Sequence, residues 1–171
     1  LAEVRARGGY LIVDEIYQGL SYTDDVHTAL TLGDDVIVIN SFSKYFCMTG
    51  WRLGWIVTPA ALMKQVEKLA QSMFICPPAP AQFGALACFG KDTLVTLEER
   101  RHEFRRRRDF LVPAVVRAGL RVPTTPGGAF YVFADCSAFG SARDFTLRLL
   151  QHAAVATTPG IDFGGHHTDR F

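Results

Sequence analysis

Three short apolar runs most constrain what this chain can fold into. They are YLIVDE at 10–15, VIVIN at 36–40 and LGWIV at 53–57. Continuous apolar runs of this length are typical of strands in a mainly parallel sheet that is covered on both faces. The first two end in polar residues, and open α/β sheets bind ligands at the carboxyl ends of their strands. The runs therefore predict an α/β fold with a site at one edge of the sheet.

The rest of the chain predicts helices and then a change of domain. Thr58 and Pro59 are expected to begin a helix as its cap and first-turn residue, and a longer helix is expected over 92–118. The later stretch PTTPGGAFYVFAD has the pattern of a turn followed by an apolar strand, and VATTPGIDFG that of a strand followed by another turn, which indicates an α+β layer. We expect two domain parts, 1–110 and 111–171, that meet inside the longer helix.

Composition argues against strongly charged partners. The chain has 171 residues, of which 20% are charged, and a net charge of +1. The basic run EERRHEFRRRRD falls on the longer helix, where Glu103 with Arg107 and Arg105 with Asp109 have the spacing of ion pairs on a solvated face. No apolar run reaches the length of a membrane span. We therefore expect neither a nucleic-acid nor a membrane partner.

Cysteine and histidine usage indicates neither disulfides nor metal. The four cysteines are irregularly spaced and form no C-x-x-C pair, a pattern typical of reduced thiols in a cytoplasmic protein. His166 and His167 form a tandem pair without spaced partners, so solvated loop histidines are favoured over metal ligands. No metal site is predicted.

Both ends of the sequence read as interrupted elements. Leu1 and Val4 have the spacing of one face of a helix that Gly8 and Gly9 would end. Phe171 falls where a strand would begin. We expect the chain to be a segment of a longer protein.

One lysine stands out by its surroundings. In SFSKYFCMTGWRLGW, residues 41–55, Lys44 is set among serines and aromatic residues directly after an apolar run. Most lysines are solvated surface charges. At the end of a buried strand, however, a partly desolvated amine is a candidate nucleophile.

The same stretch offers donors for an anion. Arg52 lies between two tryptophans, where it could stack on the rings or present its planar fork to a phosphate. Ser41 and Ser43 could add hydroxyl donors, although either could also be a turn residue.

A carboxylate and a phenol follow the first apolar run. If the first two strands are neighbours, Asp14 and Tyr17 converge with Lys44, Arg52 and the two serines at one edge of the sheet. Pyridoxal phosphate requires all of these groups at once. It needs a lysine that forms a Schiff base with its aldehyde, a carboxylate beside the ring nitrogen, and a cradle for its phosphate.

These motifs carry a family resemblance. VDEIYQGLSY followed by SFSKYFCMTGWRLGW resembles the fold-type I, class I aminotransferases, the aspartate-aminotransferase-like family. The match comprises a D-x-x-Y, an S-x-S-K and an R-x-G element in order, while PGGAFYVF and TTPGIDFG are similar to the family's C-terminal small domain. The resemblance implies that 1–110 is the C-terminal half of the large cofactor domain, and that 111–171 belongs to an α+β small domain.

The resemblance implies a role for each site residue. Lys44 would hold the cofactor as a Schiff base and later move a proton, Asp14 would pair with the pyridinium nitrogen, and Tyr17 would hydrogen-bond the phenolic oxygen. The phosphate would be held by three further residues: Ser41, Ser43 and Arg52. The family's substrate-carboxylate arginine has one candidate, Arg170, unless that arginine lies just beyond Phe171.

The implied function is an aminotransferase that moves an amino group between an amino acid and a 2-oxo acid, in a homodimer. The family's N-terminal part, which completes the phosphate cradle, does not occur in this sequence, so we expect these residues alone to bind the cofactor weakly or not at all. Two alternatives stay open. One is the aminotransferase-like domain of a transcriptional regulator, and the other is a lyase or decarboxylase on the same fold.

Overall fold

The computed structural model describes residues 1–171, and the chain divides into two compact units, Leu1–His102 and Glu103–Phe171. The division falls inside the longest helix. The assignment of 1–110 and 111–171 to a large and a small domain stays a prediction. The helices are α1 (Ala2–Ala6), α2 (Met63–Met73), α3 (Ala79–Leu86), α4 (Lys91–Arg117) and α5 (Ala142–Ala153), and the strands are β1 (Leu11–Asp14), β2 (Val36–Ser41) and β3 (Gly54–Val57). None of the helices combines the length and apolar character that crossing a membrane requires.

The first unit contains a three-stranded sheet in the order β1-β2-β3. Strands β1 and β2 are parallel, with Asp14 opposite Ile39, so the carboxyl ends of both strands lie at the same edge. Strand β3 is antiparallel to β2, with Ser41 opposite Gly54. The runs were expected to form a mainly parallel sheet, and β3 departs from the parallel direction. A parallel pair needs a crossover connection, usually a helix, whereas residues 42–53 form only turns that reverse the chain.

Burial in the sheet is concentrated on its central strand. Val36 and Val38 of β2 are almost fully buried, at 1% and 2% exposure. Ile12 of β1 and Ile56 of β3 are exposed at 59% and 44%, so the outer strands are not covered on both faces as the apolar runs predicted.

A hydrophobic cluster anchors the segment that connects β2 to β3. Phe42 and Met48 are buried against Ala85 of α3 and Cys88. The backbone N–H of Met48 also donates to the carbonyl oxygen of Phe42 at 3.0 Å, which closes the turn. Burying a side chain of this size stabilises the fold by about 1.5–3 kcal/mol. The residues between Phe42 and Met48 are therefore held at both ends.

The start of the second helix differs from the prediction. Thr58 is buried and its hydroxyl has no hydrogen-bond partner, so it does not cap α2. A short 3-10 turn at Ala60–Leu62 separates it from α2, because Pro59 in extended conformation directs the chain into that turn first.

The second unit has a well-defined helix and little regular sheet. Ser141 caps α5, since its hydroxyl accepts from the backbone N–H of Asp144 at 3.2 Å. The strands expected within PTTPGGAFYVFAD and VATTPGIDFG do not form. An isolated antiparallel bridge joins Arg121 to Asp135. Strands are stable only when they are paired, and in this structure these apolar segments pair with no neighbouring strand.

Candidate active site

Lys44 lies three residues beyond β2, in the segment anchored by Phe42 and Met48. Its side chain is half-buried. The ammonium nitrogen Nζ lies 5.8 Å from the centroid of the Tyr17 ring. Tyr17 begins the 3-10 turn Gln18–Leu20 that follows β1. The fold thus brings the candidate nucleophile and the candidate phenol together at the carboxyl edge of the sheet.

Asp14 is the last residue of β1 and is exposed at the same edge. One carboxylate oxygen accepts a hydrogen bond from the backbone N–H of Ile16 at 3.0 Å. The backbone N–H of Glu15 donates to the carbonyl oxygen of Ile39 at 2.8 Å, which continues the pairing with β2 past Asp14. The carboxylate is therefore fixed in direction by the turn and by the sheet.

The two candidate serines are hydrogen-bonded to each other. The hydroxyls of Ser41 and Ser43 lie 2.8 Å apart, and the backbone N–H of Ser43 donates to Ser41 Oγ at 3.0 Å. Ser41 Oγ also lies 3.1 Å from the carbonyl oxygen of Leu53. This cluster crosses the base of the Lys44 segment and joins its first residues to its last.

Arg52 sits in a left-handed backbone conformation, with φ at 55° and ψ at 51°, just after the 3-10 turn Thr49–Trp51. One guanidinium N–H donates to the carbonyl oxygen of Thr49 at 2.8 Å, and the residue is exposed. A guanidinium carries five donors, so this bond orients the group and engages only one of them.

This donor set fits an anionic, carbonyl-bearing cofactor. An exposed guanidinium and two hydroxyls suit a phosphate, and a half-buried primary amine in the same segment suits an aldehyde. The carboxylate of Asp14 at the same edge of the sheet suits a protonated ring nitrogen. The assignment of these roles stays a prediction.

Sequence reasoning missed two contacts near the site. Glu15, which follows Asp14, accepts from the hydroxyl of Thr28 at 3.0 Å and from the backbone N–H of Ala29 at 2.6 Å. Tyr45, which follows Lys44, donates from its hydroxyl to Glu98 at 2.6 Å. The second pair is 53 residues apart in sequence, so no local pattern could have indicated it.

Arg170 belongs to the second unit, where a buried carboxylate lies near it. Its Nε is 3.9 Å from Asp135 Oδ2, and its guanidinium carbon is 5.0 Å from the Phe171 ring centroid. Its side chain is 47% exposed. A role for Arg170 in binding a substrate carboxylate stays a prediction.

Asp135 is the acidic centre of this second cluster. It is 3% exposed, accepts from the backbone N–H of Ser137 at 2.9 Å, and is paired with Arg121 at 2.5 Å. Hydrogen bonds from Ser137 and from Arg121 hold the pKa of the Asp135 carboxyl well below its usual range.

Comparison with known proteins places the chain in a family. The profile of the aminotransferase class I and II family matches residues 1–170. The chain is 39% identical to a (5-formylfuran-3-yl)methyl phosphate transaminase of Methanocaldococcus jannaschii, over 91% of this chain and 42% of that protein. It is 38% identical to a valine–pyruvate aminotransferase of Mycobacterium tuberculosis, over 90% of this chain and 40% of that protein.

Solved structures that resemble this chain are aminotransferases, as the sequence relatives are. A crystal structure of an aminotransferase from Mycobacterium tuberculosis superposes with a TM-score of 0.93 at 36% identity, covering 99% of this chain and 45% of that one. The chain belongs to the aminotransferase class I and II family, and its structural neighbours are aminotransferases over almost its whole length. It spans about two fifths of the length of the curated relatives named above.

The Asp135 cluster predicts a specific dependence of stability on pH. Because the folded-state pKa is lowered, the contribution of this carboxylate is fully present above its ordinary pKa of about 3.9 and is lost as the pH falls through the folded value. We expect Asp135→Asn to lower the thermal unfolding midpoint of the whole protein at pH 7. The difference in midpoint between wild type and variant should become smaller below about pH 4.

The matched control is Asp162→Asn, which changes an exposed carboxylate and should leave the midpoint unchanged at both pH values. An Asp135→Asn gap that is equally wide at pH 7 and pH 3 would contradict the pairing described here.

Proposed function

We propose that the whole protein is a pyridoxal-phosphate-dependent aminotransferase that moves an amino group between an amino acid and a 2-oxo acid. The observation that carries the proposal is the half-buried Lys44, which lies at the carboxyl edge of a parallel strand pair with its Nζ 5.8 Å from the Tyr17 ring. The names of relatives that are 34–39% identical support it, since they are called transaminases or aminotransferases.

Three residues would act at the cofactor ring. Lys44 would attach the cofactor through its amine and, once released by the substrate's own amine, would take and return the proton at the substrate α-carbon. Asp14 would accept a hydrogen bond from the protonated ring nitrogen, and Tyr17 would donate to the ring's phenolic oxygen. When bound, the cofactor supplies an electron-accepting ring that makes the substrate's α-proton acidic.

Three residues would hold the phosphate. The hydroxyls of Ser41 and Ser43 are already clustered at 2.8 Å, and Arg52 is oriented by its bond to Thr49. A charge-assisted hydrogen bond contributes about 1.5–3 kcal/mol, so the guanidinium is the strongest single donor of the set. Binding at the phosphate fixes the ring relative to Lys44 without taking part in proton transfer.

The partners that follow from this function are small molecules, an amino acid and a 2-oxo acid. A homodimer, a cytoplasmic location and the role of Arg170 stay predictions.

The role of Lys44 is tested by Lys44→Ala in the whole protein. We expect turnover with amino acid and 2-oxo acid pairs to fall by at least about a thousandfold, because both the covalent attachment and the proton carrier are lost. The visible absorbance of the lysine-linked cofactor should disappear as well. Lys64→Ala, which changes an exposed lysine of α2, is the control and should retain both. A Lys44→Ala protein that kept its absorbance and turnover would end the assignment.

The role of Arg52 is tested by the choice of ligand. Arg52→Gln should weaken the binding of pyridoxal phosphate by roughly tenfold or more, since one charge-assisted contact is lost. Binding of pyridoxal, which has no phosphate, should be the same in variant and wild type. Arg100→Gln changes an exposed arginine of α4 and should alter neither affinity. Equal losses for both ligands would show that Arg52 does not bind the phosphate.

A further inference from the structure

The residue after Lys44 is tied to a distant helix. The hydroxyl of Tyr45 donates to Glu98 Oε1 of α4 at 2.6 Å. The other oxygen of Glu98 accepts from Nε of Arg101 at 2.8 Å. Arg101 in turn donates to the backbone carbonyl oxygen of Ser21 at 2.9 Å. A continuous chain of hydrogen bonds therefore runs from the Lys44 segment, through α4, to the segment that follows Tyr17.

The ring of Tyr45 also packs directly on the turn that Tyr17 begins. A Cβ atom placed on Gly19 would lie 2.6 Å from Cγ of Tyr45, closer than real carbon atoms approach. Because it has no Cβ atom, Gly19 lets the Tyr45 side chain pack closely against the backbone of the turn. Tyr45 contacts the Tyr17 turn through its ring and α4 through its hydroxyl.

The charges of the three side chains suit this arrangement. Burial and the hydrogen bond to Glu98 raise the pKa of Tyr45 to about 12, so its phenol stays a neutral donor. Burial opposes ionisation of Glu98, but hydrogen bonds from Tyr45 and Arg101 outweigh it and keep the pKa of this carboxyl below its usual value. The bond is thus between a neutral phenol and a carboxylate, a charge-assisted and short type of hydrogen bond.

We propose that Tyr45, Glu98 and Arg101 form a positioning network that fixes Lys44 relative to Tyr17 and thereby controls how firmly the lysine-linked cofactor is held. The inference rests on the proposed function, since it presumes that Lys44 attaches the cofactor. The network joins the two segments that carry Lys44 and Tyr17 on the side of α4, whereas the hydrophobic cluster of Phe42 and Met48 anchors only the first of them. None of its three residues is assigned contact with the reacting atoms, so they are positioning residues.

The network would set the distance between Lys44 and Tyr17, on which firm binding of the cofactor depends. A covalently attached ring must meet its phenol donor at hydrogen-bond distance, and small displacements of such groups weaken binding and catalysis. Without the bond from Tyr45 to Glu98, the Lys44 segment would lose its hydrogen bond to α4 and would keep the contacts at its base and in the hydrophobic cluster.

The test uses the whole protein loaded with pyridoxal phosphate and three variants: Tyr45→Phe, Glu98→Gln and the double variant. Tyr45→Phe keeps the ring on Gly19 and removes only the hydroxyl, and Glu98→Gln removes only the charge. Cofactor dissociation should become roughly three- to tenfold faster in each single variant, less than the full loss of a hydrogen bond to a charged group, because the bond acts on the cofactor only through the position of Lys44. The pH midpoint of the bound cofactor's absorbance should shift in both, because Tyr17 no longer meets the ring at its set distance.

The double variant should resemble Tyr45→Phe, because both substitutions act on the same bond, which is already lost without the hydroxyl, and their effects do not add. Tyr10→Phe and Glu99→Gln are matched controls at exposed positions, and should dissociate the cofactor at the wild-type rate. If Glu98→Gln does not fold, the hydroxyl deletion Tyr45→Phe alone answers the question.

Two results would overturn the inference while leaving the proposed function standing. One is that all variants dissociate the cofactor at the wild-type rate and keep the wild-type pH midpoint of its absorbance. The other is a lower unfolding temperature with both cofactor readouts unchanged, which would make the network merely structural. A wild-type protein that binds the cofactor no better than Lys44→Ala would instead refute the proposed function, and the positioning role would fall with it.

Discussion

The burial of Phe42 and Met48 on either side of Lys44 is the constraint on which the site depends. These side chains pack against Ala85 and Cys88, and the pairing of Ser41 with Gly54 closes the base of the same segment. The backbone on both sides of Lys44 is therefore anchored, which restrains the position of the lysine. The parallel strands place the ends of β1 and β2 at one edge of the sheet, and the hydrophobic cluster anchors the segment that carries Lys44 at that edge.

The same segment brings the candidate phosphate-binding residues together in space. The chain reverses between β2 and β3 within residues 42–53, so the serines at its start and Arg52 at its end are brought to one base. The hydroxyls of Ser41 and Ser43 lie 2.8 Å apart, and Ser41 also reaches the carbonyl of Leu53. A tight reversal thus turns neighbouring residues in sequence into a compact donor set.

Local patterns in the sequence were sufficient for the strands and for the long helix. The apolar runs predicted β1, β2 and β3 within one or two residues, and the helix expected over 92–118 is α4, Lys91–Arg117. The runs indicated a mainly parallel sheet, whereas β3 is antiparallel because the short connection after β2 leaves no room for a crossover helix. The strands expected in the second unit were missed because strand formation depends on pairing partners that a single run does not specify.

The candidate site was predictable where its residues follow strand ends and not where they act across the fold. Asp14 and Lys44 could be proposed from the sequence because Asp14 lies at the end of one apolar run and Lys44 follows the next. The bond from Tyr45 to Glu98 could not, because 53 residues separate the pair and Glu98 looks like any other charge on α4. The buried state of Asp135 was missed for a similar reason, since its partner Arg121 lies in another segment.

The most direct test of this account is to reduce the cofactor-loaded whole protein with borohydride, digest it, and locate the retained cofactor by mass spectrometry. The account predicts that the modification lies on Lys44. Attachment to an exposed lysine such as Lys64 or Lys68, or no attachment to any lysine of this chain, would contradict it.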